Sequence, residues 1–449
     1  MNKLCSVYEF DTLRFSDKPN IAQKILPRKA FEELRNLLLA HEDNPADSVV
    51  PPFERLDYEE AGSCMQMGIR GGQEVITVRN YVGIISLSCG ISVEILPKIS
   101  ADSDSEEAKQ YARKIVVEML KECGAISYKH FQQASLTVDK LNLFEAFVSL
   151  FINEVNALYK KGLKAGYVPT EDNENFLKGK LITSEHIKKN FAHKEKFYVG
   201  YDVFNFDRAE NKLIKSTLLY LKNKSTDEGN KRSIRRLLLT FDEISSSENY
   251  ESDFSKCETG RVAKDYESVI KLCRVFLRKK SFTMYSGKND AVALLFPMET
   301  LFERFIAAKM RSALSGEWTV YPQNRGKYLF DNPKKFPLRP DIFLHRHDGP
   351  NIIIDTKWKR LIGDSTKNYG ISQADMYQMY AYHTRYPNIQ KVILLYPKCQ
   401  GIAGENINSS YTCNDEDGKI KIMIQIKFFD LERYMKQRNM DQFEKIIKD

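Results

Sequence analysis

One stretch constrains this chain more than any other: PDIFLHRHDGPNIIIDTK, residues 340–357. Two apolar runs flank Asp348–Gly349, a dipeptide that favours a tight turn, so the stretch predicts a β-hairpin. Pro340 stands just ahead of the first strand, where a missing N–H is tolerated. With the turn centred at 348, Asp341 lies opposite Asp355, and directly opposed Cβ atoms are about 5 Å apart. Asp355 and Lys357 leave the same face of their strand, and Thr356 points the other way. Two carboxylates and a lysine therefore converge on one patch of sheet, and the apolar run Ile352–Ile354 makes that strand a rigid support.

This set of residue types suits magnesium-dependent phosphodiester hydrolysis. Carboxylates are hard oxygen ligands for Mg²⁺ at about 2.1 Å. The ion polarises a phosphoryl oxygen and acidifies its bound water. A lysine stabilises charge on the phosphate or helps orient the attacking water. The residues alone leave another reading open, because acid–lysine pairs at strand ends are commonly surface pairs worth little. Glu303, in ETLFERF, reads as a third acid feeding the metal site or as a solvated side chain on an otherwise buried helix. Gln378 and Tyr382 are four apart on the helix after the lysine strand and share a face. They read as groups that orient DNA or brace the site, or as ordinary helix packing with Asp375, Met376 and Met379.

The 449 residues exceed what one continuous core usually holds, so two or three domains are expected. We divide the chain into a β-rich region (1–103), a mixed, largely helical region (104–288) and an α/β region (289–449). In the first, a helix over about 29–42 precedes strands at 75–78, 82–87 and 91–97, with a hairpin turn at Cys89–Gly90. ISVEILP alternates partly and predicts a sheet exposed on one side. In the second, helices are expected at 111–124, from Val138 to the glycines at 162 and 166, at 209–222 and at 261–278. A β-like stretch is expected at 176–203, with polar loops at 223–233 and 243–258. In the third, a helix (298–314) precedes strands at 341–345, 351–357 and 391–397, with a helix (372–386) between the last two. That order makes an α/β unit with a mixed sheet.

The net charge of +8 permits a phosphate-backbone partner without demanding one. KRSIRR (231–236) and RKK (278–280) read as solvated faces, whereas KWKR (357–360) abuts the candidate site. None of the eight cysteines forms a CxxC pair. They read as reduced, mostly buried thiols of a cytoplasmic protein rather than zinc ligands or a disulfide scaffold. No stretch approaches the roughly 18 apolar residues of a membrane span, and the first residues lack a signal-peptide pattern.

The arrangement resembles the PD-(D/E)xK nuclease superfamily: a helix acid, a hairpin bearing PD and DxK, and a QxxxY helix. More narrowly, the chain resembles the McrC family of McrBC-type restriction systems. The resemblance is carried by NYVGIISLSCGISVEILPKI (80–99), FLKGKL (176–181), FNFDRAENKLIK (204–215), LFERF (301–305), LRPDIFL (338–344), IIIDTKWK (352–359) and SQADMYQMYAY (372–382). It implies a restriction-endonuclease-like domain at the C-terminal end, preceded by a β-rich region and a mixed helical region. It further implies a Mg²⁺-dependent DNA endonuclease subunit of a type IV restriction enzyme, with a role in antiviral defence. Asp341, Asp355 and Lys357 match its motif, with Glu303 as the helix acid and Gln378 and Tyr382 as the following pair. Asp341, Asp355 and Glu303 would hold the metal. The partner would be an AAA+ GTPase of the McrB type, which recognises methylated double-stranded DNA and binds GTP itself.

This chain has no GxxxxGK[ST] phosphate loop, which fits that division of labour. The N-terminal and middle parts would dock on the partner and stimulate its GTPase. Arg79, Asn80 and Lys98 are polar candidates there, each with a local structural role as the other reading. Two alternatives remain: a related subunit whose partner reads an unmethylated sequence, and a non-catalytic adaptor that activates an NTPase.

Overall fold

The computed structural model describes residues 3–42, 64–98, 105–122, 142–257, 263–277, 292–314, 316–362, 364–398, 410–438 and 440–448. The chain divides into two units, one of residues 1–144 with 283–449 and one of residues 145–282. The first and third regions read from the sequence thus share a unit, and the division at 144/145 falls inside the second. The predicted boundary near 280–290 lies outside the described residues.

The first unit opens with β1 (Lys3–Tyr8), β2 (Thr12–Phe15), β3 (Ile25–Leu26), α1 (Arg28–Glu42), β4 (Met65–Arg70), β5 (Gln73–Val78), β6 (Tyr81–Ser86) and β7 (Ile91–Leu96). Strands β3, β2, β5 and β4 form one sheet in that order. Strands β6 and β7 form the expected antiparallel hairpin. Gly90 at its turn has φ 81°, a conformation open to glycine.

The expectation of a half-exposed β7 is corrected: all six of its residues are buried. The strand is central, paired on its other side with parallel β1. Glu94 is therefore fully buried, and α2 (Glu106–Glu122) supplies its countercharge. Arg113 Nη2 donates to Glu94 Oε2 at 2.8 Å, and Arg113 Nε reaches both carboxylate oxygens. Ser6 Oγ and the Leu143 N–H complete the shell, each at 3.0 Å.

In the second unit, α3 (Leu143–Lys161) buries the predicted stripe Phe147, Val148, Phe151, Val155 and Leu158, while Tyr159 is exposed. The predicted start at Val138 lies outside the described residues. Next come β8 (Gly166–Glu174), β9 (Lys180–Leu181), α4 (Thr183–Lys189) and β10 (Phe197–Asn205), followed by α5 (Ala209–Lys224), α6 (Glu228–Thr240), α7 (Tyr250–Cys257) and α8 (Ala263–Leu277).

Three expectations fail here. A helix interrupts the β-like stretch 176–203, and both predicted loops contain helices. The Asp227 side chain caps α6 by accepting from the Asn230 N–H. Buried Glu145 accepts from Ser225, Thr226, Asp227 and Asn230, which fixes the entry to that helix. Each of these helices is polar on most of its surface and buries little: Ile234 and Leu237 in α6, Phe254 in α7. The KRSIRR arginines 232, 235 and 236 are exposed on α6, as a solvated face requires.

The chain then returns to the first unit with β11 (Val292–Pro297) and α9 (Met298–Ala313). Strand β11 pairs antiparallel with β6, completing a sheet of order β1-β7-β6-β11. After β12 (Trp318–Pro322), β13 (Lys327–Asp331) and β14 (Lys334–Leu338) come β15 (Ile342–Arg346), β16 (Asn351–Thr356), α10 (Gln373–Arg385), β17 (Ile389–Pro397), β18 (Ser410–Asn414), β19 (Ile420–Phe429), α11 (Leu431–Gln437) and α12 (Asp441–Lys448). A six-stranded sheet runs β12-β15-β16-β17-β19-β18. It is mixed, parallel at β16–β17–β19 and antiparallel elsewhere. The expected helix, hairpin, helix and strand are all present. Short strands β12 to β14 and edge strand β18, which bury few side chains, were not foreseen.

The architecture is a mixed α/β one in two units. No helix among the described residues is long and apolar enough to cross a membrane. Of the six described cysteines, all free, Cys5, Cys64 and Cys273 are buried and Cys413 is exposed.

Removing one partner of a buried ion pair strands the other charge and costs about 3–5 kcal/mol. Arg113→Ala is expected to destabilise the first unit by that amount, seen as a lower thermal midpoint. An unchanged midpoint would mean that the Arg113–Glu94 pair does not support the unit.

Candidate active site

The register of the hairpin sets the site. Ile342 pairs with Ile354 and Leu344 with Ile352, so continuing the ladder by one step brings Asp341 opposite Asp355. Ile342, Leu344, Ile353 and Ile354 are wholly buried and Ile352 nearly so. That apolar packing carries the acidic strand ends into the interior.

Asp355 is 1 % exposed, and Lys357 Nζ lies 2.6 Å from its Oδ2. That charged contact is the direct partner of this buried oxygen. Asp341 Oδ2 accepts two bonds of 2.7 Å from Thr356, one from the backbone N–H and one from the hydroxyl. Thr356 thus corrects the strict alternation: it braces Asp341 instead of turning away, because pairing with β15 ends at Ile354 while β17 still holds Thr356.

The predicted Gln378 and Tyr382 share a face of α10 and join the lysine. Lys357 Nζ donates to Gln378 Oε1 at 3.3 Å, Gln378 Nε2 donates to the Tyr382 hydroxyl at 2.8 Å, and that hydroxyl donates to the Arg339 carbonyl at 2.9 Å. Tyr382 is 1 % exposed and also packs in the core. Bracing and packing are therefore done by the same side chains. Lys359 pairs with Asp375 at 3.0 Å, which accounts for the next cation of KWKR.

Glu303 lies on α9 beside the buried Leu301, Phe302 and Phe305 and is half-buried. Burial pushes its carboxyl up to about 7, with a contribution from Asp355, while a hydrogen bond from Gln323 opposes the rise. Burial pushes Asp341 up to about 7, and the charge of Glu303 adds to it. Asp355 is likewise pushed up to about 7 by burial and by Asp341. Burial works against the charge of Lys357, but Asp355 and Asp341 outweigh it and hold the ammonium protonated. Thr356 and Gln323 were the residues that sequence reasoning missed. The contact of Thr356 follows from the strand end, but no local signal marks Gln323.

Among the described residues, no three His, Cys, Asp or Glu stand ready-made as a metal cage. The donor set nonetheless suits a hard divalent cation. Mg²⁺ commonly takes one or two carboxylates and fills its other positions with water and substrate oxygens. Asp355 Oδ2 is a buried carboxylate oxygen paired with Lys357, and three mutually repelling carboxylates face one ammonium.

The N-terminal strands reach the same place. The Trp358 indole N–H, next in chain to Lys357, donates to both oxygens of Glu9 at 3.1 and 3.0 Å. The Lys98 N–H also donates to Glu9, and Phe302 packs edge-on against Trp358. Asn80 accepts from the Met298 N–H at the start of α9 and donates to Glu299. Arg79 donates to Gln66, a local bond.

Glu9 is 1 % exposed, and burial pushes its carboxyl from 4.5 up to about 8. Between those values the folded chain keeps a proton that the unfolded chain sheds, so stability falls as pH rises across the window. Glu9→Gln keeps an acceptor for Trp358 without the charge. It is expected to flatten the fall in thermal midpoint between pH 4.5 and about 8. An unchanged slope would count against a protonated Glu9.

Comparison with known proteins agrees with this architecture. The chain is similar over its whole length to a structure from Thermococcus gammatolerans, the half-complex from a tetradecameric assembly of McrB AAA+ hexamers with bound McrC. The TM-score is 0.68 at 19% identity, covering 99% of each chain. It is also similar to the cryo-EM structure of the Thermococcus gammatolerans McrBC complex, at TM-score 0.48 and 21% identity over 70% of this chain and 89% of that one. No curated protein matches. The family described as McrBC 5-methylcytosine restriction system component matches residues 76–397, most of the 449 and including all six candidate residues. This chain belongs to that family.

Proposed function

We propose that the chain is a McrC-type subunit, a Mg²⁺-dependent DNA endonuclease with a PD-(D/E)xK site in its C-terminal part. The observation that carries this reading is the convergence of Asp341, Asp355 and Lys357 at one end of a mixed sheet, within the electrostatic reach of Glu303. Asp341 and Asp355 would hold the ion, with Glu303 as the further acid. Bound there, Mg²⁺ supplies polarisation of a phosphoryl oxygen and a more acidic water.

The chain's own residues do the rest. Lys357, held protonated between Asp355 and Asp341, faces the phosphate as a cation and stabilises developing negative charge; it is not a base. Gln378, fixed by Tyr382, limits the directions its ammonium can take. Thr356 fixes the Asp341 carboxylate. The burial that raises the carboxylate values also keeps bulk water out of the site.

Membership in a restriction-system family supports a partner that selects the DNA, and the fold shared with the Thermococcus assembly is consistent with one. That partner would be an AAA+ GTPase of the McrB type, acting on methylated duplex DNA. GTP would be bound there, since this chain lacks a phosphate loop.

Asp355→Ala is expected to abolish Mg²⁺-dependent cleavage while leaving stimulation of the partner's GTPase intact. Full cleavage by the folded variant would sink the assignment. Retained GTPase stimulation alongside an inactive wild-type chain would favour an adaptor instead. Methylated and unmethylated plasmid, compared with partner and GTP present, separate the two nuclease readings.

Gln378→Ala removes an outer support of the kind whose loss costs about 10–100-fold in activity. The expected drop lies in kcat, with DNA binding unchanged. A loss confined to binding would place Gln378 on the DNA instead.

A further inference from the structure

The residues just ahead of Asp341 form a ribbon that the site chemistry does not use. Among the described residues, strands β13 and β14 pair only with each other, with Phe330 opposite Lys335 and Asp331 opposite Lys334. Strand β14 ends at Leu338, three residues before Asp341. Apart from Tyr328 and Leu338 the ribbon is exposed, and it leaves Phe330 54% and Phe336 65% accessible, their rings 5.9 Å apart. A folded chain has no internal reason to present two adjacent phenylalanines to water.

Charge is one-sided there. Arg325, Lys327, Lys334, Lys335 and Arg339 are all exposed. The single acid of the ribbon strands, Asp331, is engaged by Arg385 of α10. Arg385 also donates to the Tyr328 carbonyl at 2.9 Å, and the Tyr386 hydroxyl donates to the Leu338 carbonyl at 3.3 Å. The ribbon is thereby tied to the helix that carries Gln378. Phe336 has φ 57°, rare for a bulky residue.

We propose that the β13–β14 ribbon is a DNA-gripping arm that holds the backbone of duplex DNA beside Asp341, a reading that rests on DNA being the substrate of that site. A two-stranded ribbon is narrow enough to enter the major groove. Its lysines neutralise phosphates, and Phe330 and Phe336 pack on sugars and thymine methyl groups. Charge complementarity selects this occupant: exposed cations flank the aromatic pair, and the ribbon's one acid is already engaged. The tie to α10 keeps the gripped duplex in register with Lys357.

The test uses the full-length chain carrying Asp355→Ala, which removes cleavage, and a short fluorescent duplex titrated at several salt concentrations. Lys334→Ala with Lys335→Ala is expected to weaken binding about tenfold and to flatten the plot of log affinity against log salt by about 2, one for each phosphate no longer neutralised. Lys334→Arg with Lys335→Arg, which keeps both charges, restores affinity and slope. Phe336→Ala weakens binding without changing the slope.

An unchanged slope in the alanine pair, or no duplex binding by the parent chain, overturns the arm. So does weakened binding that the arginine pair fails to restore. Cleavage of methylated plasmid by the chain with native Asp355, assayed in parallel with the partner and GTP present, keeps the two readings apart. Ribbon-dependent binding without cleavage sinks the nuclease reading alone. Cleavage with ribbon-independent binding sinks the arm alone.

Discussion

The pairing of Ile342 with Ile354 is the interaction on which the site depends. A strand's side chains alternate with period two, so a slip of one residue would turn Asp355 to the other face of the sheet. Pairing on both edges of the strand prevents the slip. Ile352, Ile353 and Ile354 are at most 1% exposed, and parallel β17 holds the far side of the strand. Hydrophobic burial along the strand therefore aims the charges at its end. The polar groups could not fix that geometry themselves, since the acids repel one another.

That repulsion is a standing cost. Glu303, Asp341 and Asp355 are each pushed up to about 7, so near neutral pH the site sits at the edge of ionisation. Lys357 offsets part of this, and the donors of Thr356 offset part at Asp341. Burying acids this way costs stability, and a cluster of perturbed carboxylates is the pattern on which the proposed catalytic site rests.

The N-terminal strands are part of the same unit, not an appended module. Strand β11 completes the sheet of β6 and β7 and leads directly into α9, the helix of Glu303. Glu9 and Trp358 bond where neither is accessible. A displacement of the N-terminal sheet would consequently bear on both elements that carry the acids and the lysine. Any partner docking on those strands would act on a surface continuous with the site's support.

Much of this was legible in the sequence because it rests on local periodicity. The hairpin at 340–357, the helices at 298–314 and 372–386 and the β6–β7 turn at Gly90 follow from spacing, and so does the opposition of Asp341 and Asp355. The helices Glu228–Thr240 and Tyr250–Cys257 did not, since each buries so few residues that composition reads as loop. The full burial of β7 was hidden for a different reason. Glu94 looks like a solvent residue until Arg113, from a separate helix, is known to meet it.

The same division holds at the site. Sequence alone determined which residue types alternate on one strand and which share a helix face. Only the tertiary structure decided that Gln378 meets Lys357, that Gln323 comes close to Glu303 and that Trp358 bonds to Glu9. Those contacts join segments far apart in the chain. Their geometry is set by how sheets and helices pack, which no local pattern encodes.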